Sequence, residues 1–144
     1  MKPSFHPTKD QLKEIVEYAN STVANYPNRN NRRSVKEVHS DIVIGKLGEL
    51  AYKSWMGNEV SEVDLIVRKE EDPGWDFTKT DGTRVQVKTI RSGIKWVTLG
   101  NFYWEELVVI RYDKGNFELE HIKTKTEVNG IAKRSKFKGY YYEA

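Results

Sequence analysis

Apolar residues recur at three- and four-residue spacing in the first part of the chain and at two-residue spacing after it. Leu12, Ile15, Val16, Ala19 and Val23 follow the first rule, so a helix is expected from Thr8, a suitable cap, to about Tyr26, with Pro27 ending it. Ahead of it, residues 1–7, with Pro3 and Pro7, read as an extended lead-in. Ser34 opens a second helix running to about Met56, with Glu37 three residues on as a capping box and Gly57 as the stop. This helix is apolar around much of its circumference. Val38, Ile42 and Met56 lie on one side, Val43, Leu47 and Leu50 on another, and Ala51 with Trp55 on a third, so it is expected to be largely enclosed. Gly45, Gly48 and Ala51 leave room for a close neighbour.

The period then changes. Val63, Leu65 and Val67 alternate, which predicts a strand over residues 60–67, followed by a turn at 71–74. Residues 75–79 and 83–90 predict two strands around Asp81 and Gly82. Leu107 to Tyr112 predicts a buried strand, residues 113–116 a turn, and residues 117–123 a further strand with Phe117, Leu119 and His121 on one face. The remainder, 124–144, follows no clear period and reads as a basic, aromatic tail. Two helices (8–26 and 34–56) leading into a sheet of about five strands (about 60–123) predict one α/β (α+β) domain over residues 1–144.

Composition narrows the chemistry. A chain of 144 residues is the length of one domain, and 38% hydrophobic residues supply one core. The absence of cysteine removes disulfides, thiolate nucleophiles and cysteine-ligated metals, and fits a reducing, cytoplasmic setting. The longest apolar run, Leu107 to Ile110, is far short of the roughly 20 residues of a membrane span, and no apolar stretch follows the amino terminus. His6, His39 and His121 are scattered without metal-ligand spacing, and no nucleophile elbow, phosphate-binding loop or dinucleotide fingerprint occurs. Carboxylate and lysine chemistry remains.

The net charge of +3 says less than its distribution. Three windows carry basic residues and no acidic ones: 28–36 (Arg29, Arg32, Arg33, Lys36), 82–104 (Arg84, Lys88, Arg91, Lys95) and 129–142 (Lys133, Arg134, Lys136, Lys138). Each alone is equally a solvated face. Three together in a small domain, with Phe137, Tyr140, Tyr141 and Tyr142 interleaved, favour a nucleic acid, whose phosphates attract the cations and whose bases stack on the rings.

Alternation from Arg84 to Ile90 sets Gln86 and Lys88 together on the face opposite Val85 and Val87. Whether Asp76 joins them depends on the turn. A two-residue loop at Asp81 and Gly82 would set Asp76 opposite Val87. A three-residue loop of Thr80, Asp81 and Gly82, with glycine in the left-handed region, pairs Lys79 with Thr83 and sets Asp76 opposite Gln86. A functional cluster requires the second.

Pro73-Gly74-Trp75-Asp76 followed by Gln86-Val87-Lys88, and preceded by a helical Gly48-Glu49-Leu50-Ala51, resembles the PD-(D/E)xK nuclease superfamily over roughly residues 40–112. The resemblance implies a restriction-endonuclease-like core, a mixed sheet of about five strands flanked by helices. It also implies a metal-dependent endonuclease in which Glu49, Asp76, Gln86 and Lys88 are catalytic. Glu49, Asp76, Gln86 and the Val87 carbonyl would hold Mg²⁺, with Mn²⁺ able to substitute. Lys88 would orient or help deprotonate a water for in-line attack on a phosphodiester, leaving a 5′-phosphate and a 3′-hydroxyl. Gln86 departs from the usual Asp or Glu: an amide oxygen still coordinates a hard cation but lacks the charge that raises affinity. Arg91, Lys95, Arg29, Arg32, Arg33, Lys133, Arg134 and Lys136 are the expected DNA-binding residues. One such site cuts one strand, so cleavage of a duplex implies a homodimer or a higher symmetric assembly.

Site-specific cleavage of the restriction or homing type leads the expectations, ahead of junction resolution or repair nicking on the same fold. The rival from another class is a nuclease-fold module that binds nucleic acid or protein without catalysis, for which Gln86 is the best argument. Plainer roles also exist for the single residues. Glu49 is placed to form a surface ion pair with Lys53, Asp76 to end a turn, and Gln86 with Lys88 to line an exposed sheet face.

Overall fold

The computed structural model describes residues 2–25, 34–66, 74–135 and 139–144. Arg29, Arg32, Arg33 and Lys136 lie outside these, as do Pro73 and Val67. In chain order the elements are β1 (Ser4–Phe5), α1 (Lys9–Asn25), α2 (Val35–Met56), a 3₁₀ turn (Gly57–Glu59), β2 (Phe77–Thr78), β3 (Arg84–Arg91), β4 (Trp96–Leu99), β5 (Glu106–Asp113), β6 (Asn116–Thr124), α3 (Lys125–Ile131), β7 (Lys133–Arg134) and β8 (Tyr140–Glu143).

Both long helices start where their caps dictate. Thr8 Oγ1 accepts from the Gln11 amide at 3.1 Å while Gln11 Oε1 accepts from the Thr8 amide at 2.8 Å. Ser34 Oγ accepts from the Glu37 amide at 3.1 Å. At the far end of α2, Gly57 takes a φ of 59° and its amide donates to the Lys53 carbonyl.

The chain is a mixed α/β structure with three layers. A five-stranded mixed sheet runs in the order β1-β6-β5-β3-β2, with β3 and β5 parallel and the other neighbours antiparallel. One face packs on the helices: Ile15, Leu47, Ala51 and Tyr52 meet Phe77, Val85, Val87, Val108, Ile110 and Phe117. The other face, with Ile90, Leu107 and Val109, packs on Val97, Leu99, Trp104, Val128 and Tyr142. Both faces of β5 are thus covered, which is why its apolar run is continuous rather than alternating.

The layer on the second face is a three-stranded sheet, β4-β8-β7, together with α3. It replaces the expected tail over 124–144. Thr124 caps α3 in a capping box with Glu127, and residues 140–143 pair antiparallel with residues 96–99. The expected strand over 60–67 is also corrected: only Val60 bridges, to Lys79, and residues 61–66 are irregular. Val63 and Leu65 still pack on the core, so their alternation reflects an extended segment lying on it without a ladder partner. The main sheet begins at β1, not at residue 60. Among the described residues no helix is long and apolar enough to cross a membrane.

Candidate active site

The β2–β3 connection takes the three-residue form. Phe77 lies opposite Val85 and Thr78 opposite Arg84, and the Lys79 amide donates to the Thr83 carbonyl at 2.8 Å. Gly82 closes the loop at φ 90°, its amide donating to the Lys79 carbonyl at 2.9 Å, while Asp81 accepts from the Thr83 amide at 2.9 Å. The ladder pairing ends at Phe77, one residue short of Asp76.

The ladder is irregular there. The Asp76 amide donates to the Val85 carbonyl at 2.8 Å, and Asp76 Oδ2 accepts from the Val87 amide at 2.8 Å. A carboxylate oxygen therefore stands where a strand carbonyl would otherwise pair. Gly74 sets the approach to this position. It is buried at φ 98°, and a Cβ there would meet the Tyr103 ring at 2.7 Å.

Gln86 and Lys88 both line a polar cleft of about 180 Å³, closed by Gly74, Leu99, Gly100, Asn101 and Trp104. Parallel pairing sets Gln86 beside Leu107 and Lys88 beside Val109, so both point to the face away from α2. The Gln86 amide nitrogen is 3.5 Å from the Val87 carbonyl, a long contact. Lys88 is half-buried and has no ion-pair partner among the described residues, whereas Lys46, Lys53 and Lys79 each have one.

Glu49 lies on α2, 8% exposed, and its partner is not Lys53. Lys53 Nζ instead bonds the carbonyls of Gly57 at 2.8 Å and Val60 at 2.9 Å and pairs with Glu62, serving the negative end of the helix. Glu49 pairs with Lys46 at 3.1 Å, an i, i+3 contact. The Lys46 ammonium also donates to the Asp64 carbonyl at 2.7 Å and lies 5.3 Å from the centroid of the Tyr18 ring. Burial pulls the Lys46 pKa down, but Glu49, Tyr18 and, more weakly, Asp76 outweigh it and hold the ammonium above its ordinary value.

Asp76, Gln86, Val87 and Lys88 thus lie in one hairpin, Asp76 bonded to the Val87 amide and Gln86 with Lys88 lining the cleft, while Glu49 is paired with Lys46 on α2. Sequence reasoning passed over Lys46, whose signal was its position three residues before Glu49. Asn101 and Trp104 were also missed as cleft walls, because nothing in their spacing tied residues 99–104 to β3.

No family model matches the chain, and no curated protein matches it.

The cations expected to meet phosphate divide by location. Arg91 is turned to the helix side, where its guanidinium donates to Asp41 at 2.7 Å and Ser40 at 3.1 Å. Lys95, Lys133 and Arg134 are exposed at the second sheet.

The donors available to a metal are all oxygen: the Asp76 carboxylate, the Gln86 amide and the Val87 carbonyl, with Glu49 behind Lys46. That chemistry suits a hard divalent cation. Among the described residues no group of three or more His, Asp or Glu could hold a metal, so the set is lean in charge.

Proposed function

We propose that the chain is a metal-dependent DNA endonuclease with a restriction-endonuclease-like core, acting as a symmetric oligomer. The observation that carries this reading is the Asp76 carboxylate seated on the amide of Val87, the residue between Gln86 and Lys88. A turn-ending aspartate has no need of that bond.

Asp76, Gln86 and the Val87 carbonyl would hold Mg²⁺, with Glu49 contributing directly or through water. When bound, the ion supplies charge stabilisation for the phosphate. The Val87 amide fixes the Asp76 carboxylate, so its orientation costs little reorganisation. Lys88, half-buried in the cleft, supplies N–H donors to a water or to a non-bridging phosphate oxygen. Lys95, Lys133 and Arg134 position the backbone.

One observation favours a second reading, a binding module without catalysis. Lys46 already neutralises Glu49, and Gln86 carries no charge. Incubating the protein with a supercoiled plasmid and a four-way junction, in Mg²⁺, Mn²⁺ and chelator, separates the two. The nuclease cuts in metal only, and Asp76→Ala and Lys88→Ala both abolish cutting. The module binds equally in all three and cuts in none.

A further inference from the structure

β4 borders both the polar cleft and a second concavity. Leu99 and Gly100 line the cleft. On the outer side, Trp96, Thr98, Ser135, Tyr140 and Tyr141 line an open groove of about 300 Å³. Val97 and Leu99 alternate with Trp96 and Thr98 and, with Tyr140 and Tyr142, carry the packing against the main sheet, so the core does not require an aromatic at Trp96. Trp96 is nevertheless 49% exposed and meets Tyr141 edge to face, ring centroids 5.5 Å apart at 81°.

Cations frame the rings. Lys133 lies opposite Tyr141 and Arg134 opposite Tyr140 across the β7–β8 pairing, and Lys95 immediately precedes Trp96; all three are exposed. One carboxylate, Glu143, stands opposite Trp96 at the end of β8. The surface therefore offers flat apolar faces within a mostly positive rim, complementary to a polyanion that carries flat rings.

We infer that this outer face binds unpaired nucleobases of a single-stranded segment, with Trp96 and Tyr141 stacking on bases and Lys95, Lys133 and Arg134 contacting phosphates. Bases inside a duplex keep their faces stacked on one another, so an intact double helix cannot use Trp96 in this way. Gly100 lies four residues beyond Trp96, about 13 Å at about 3.3 Å per residue. The outer face and the cleft that Lys88 lines are therefore joined by one short strand. Resting on the nuclease reading, the substrate is then DNA with a single-stranded arm beside the cut, rather than a plain duplex.

The test is fluorescence anisotropy with a labelled oligothymidylate and a blunt duplex of equal length, both in chelator. The single strand is expected to bind more tightly, and Trp96→Ala and Tyr141→Ala each to weaken it by about 5- to 100-fold. Trp96→Phe, which retains a stacking ring, is expected to keep most of the affinity. Duplex binding as tight as single-strand binding, or a Trp96→Ala variant that folds and binds like the parent, overturns the inference. So does failure of the parent protein to bind either oligonucleotide. Chelator removes cleavage from the readout. A chain that binds single strands but never cuts would sink the nuclease reading and leave this one standing.

Discussion

Asp76 Oδ2 and the Val87 amide nitrogen lie 2.8 Å apart, a side-chain acceptor completing a backbone ladder. One group thereby does two jobs, pairing a strand amide and setting a negative charge against β3. Substitution separates them. Asp76→Asn keeps an oxygen for the amide and should leave the unfolding free energy within about 0.5 kcal/mol of the parent. Asp76→Ala leaves the Val87 amide without its acceptor and should cost about 1–3 kcal/mol. Both should lose metal-dependent cleavage. Urea unfolding beside a cleavage assay checks the pair; equal destabilisation by Asn and Ala would show that the hydrogen bond is not what holds the residue.

The Lys46–Glu49 pair keeps side-chain exposures of 17% and 10%. Lys46→Met takes the ammonium away from a largely buried carboxylate and should destabilise by about 3 kcal/mol, more than the double variant Lys46→Met/Glu49→Leu. A double-mutant cycle in denaturant measures the coupling. Additive effects would mean that the two charges do not sense each other.

At Gly48 α2 comes close to β3: a Cβ there would run into Thr89 Oγ1. Gly48→Ala should therefore destabilise by about 1–3 kcal/mol, although alanine is the better helix former. Thr89 Oγ1 is buried without a hydrogen-bond partner, so Thr89→Ala removes the obstacle without breaking a bond. The double variant should recover much of the loss in thermal unfolding. A Gly48→Ala protein as stable as the parent would show that the helix can shift away.

These relationships differ in how far the sequence disclosed them. The hairpin was legible because Asp81 and Gly82 limit the loop to two forms and a functional Asp76 selects one. Glycine at 48 announced a close approach but not its partner, and Gly45, equally small, has nothing near it. The segment 61–66 misled because alternation reports burial, not pairing; its Asp64 carbonyl is satisfied by Lys46 Nζ rather than by a strand. The second sheet was hidden for a different reason. Trp96–Leu99 finds its partner at Tyr140–Glu143, more than forty residues on, and no local period encodes a pairing of that range. Without that sheet, the cleft lost its far wall and Trp96 had no setting.

His121 sits at the junction of the two sheets, its Nε2 2.6 Å from the Tyr142 hydroxyl. Burial and the Lys123 charge depress its pKa below the ordinary 6.5, against a smaller opposing pull from Glu120. A depressed folded-state value means stability that is full above about pH 6.5 and lost as pH falls through the folded value. The thermal midpoint should drop on acidification through this window, and His121→Gln should flatten that limb. An unchanged slope in the variant would assign the acid sensitivity to other groups.

Gln86→Glu is the substitution on which the two functional readings diverge most. In a nuclease, a carboxylate at position 86 adds negative charge to a donor set otherwise short of it, and Mg²⁺ should bind about tenfold more tightly, equivalent to about 1.4 kcal/mol. Cleavage should then saturate at lower metal concentration, with Lys88→Ala still inactive in the Gln86→Glu background. In a binding module the same change adds an unneutralised carboxylate to a cleft that faces nucleic acid. It should weaken DNA binding in chelator and produce no cutting in metal. Calorimetric Mg²⁺ titration of the parent and variant, run beside DNA binding in chelator, distinguishes these. Unchanged metal affinity would remove Gln86 from the metal site and leave Asp76 as the only negatively charged ligand of the hairpin.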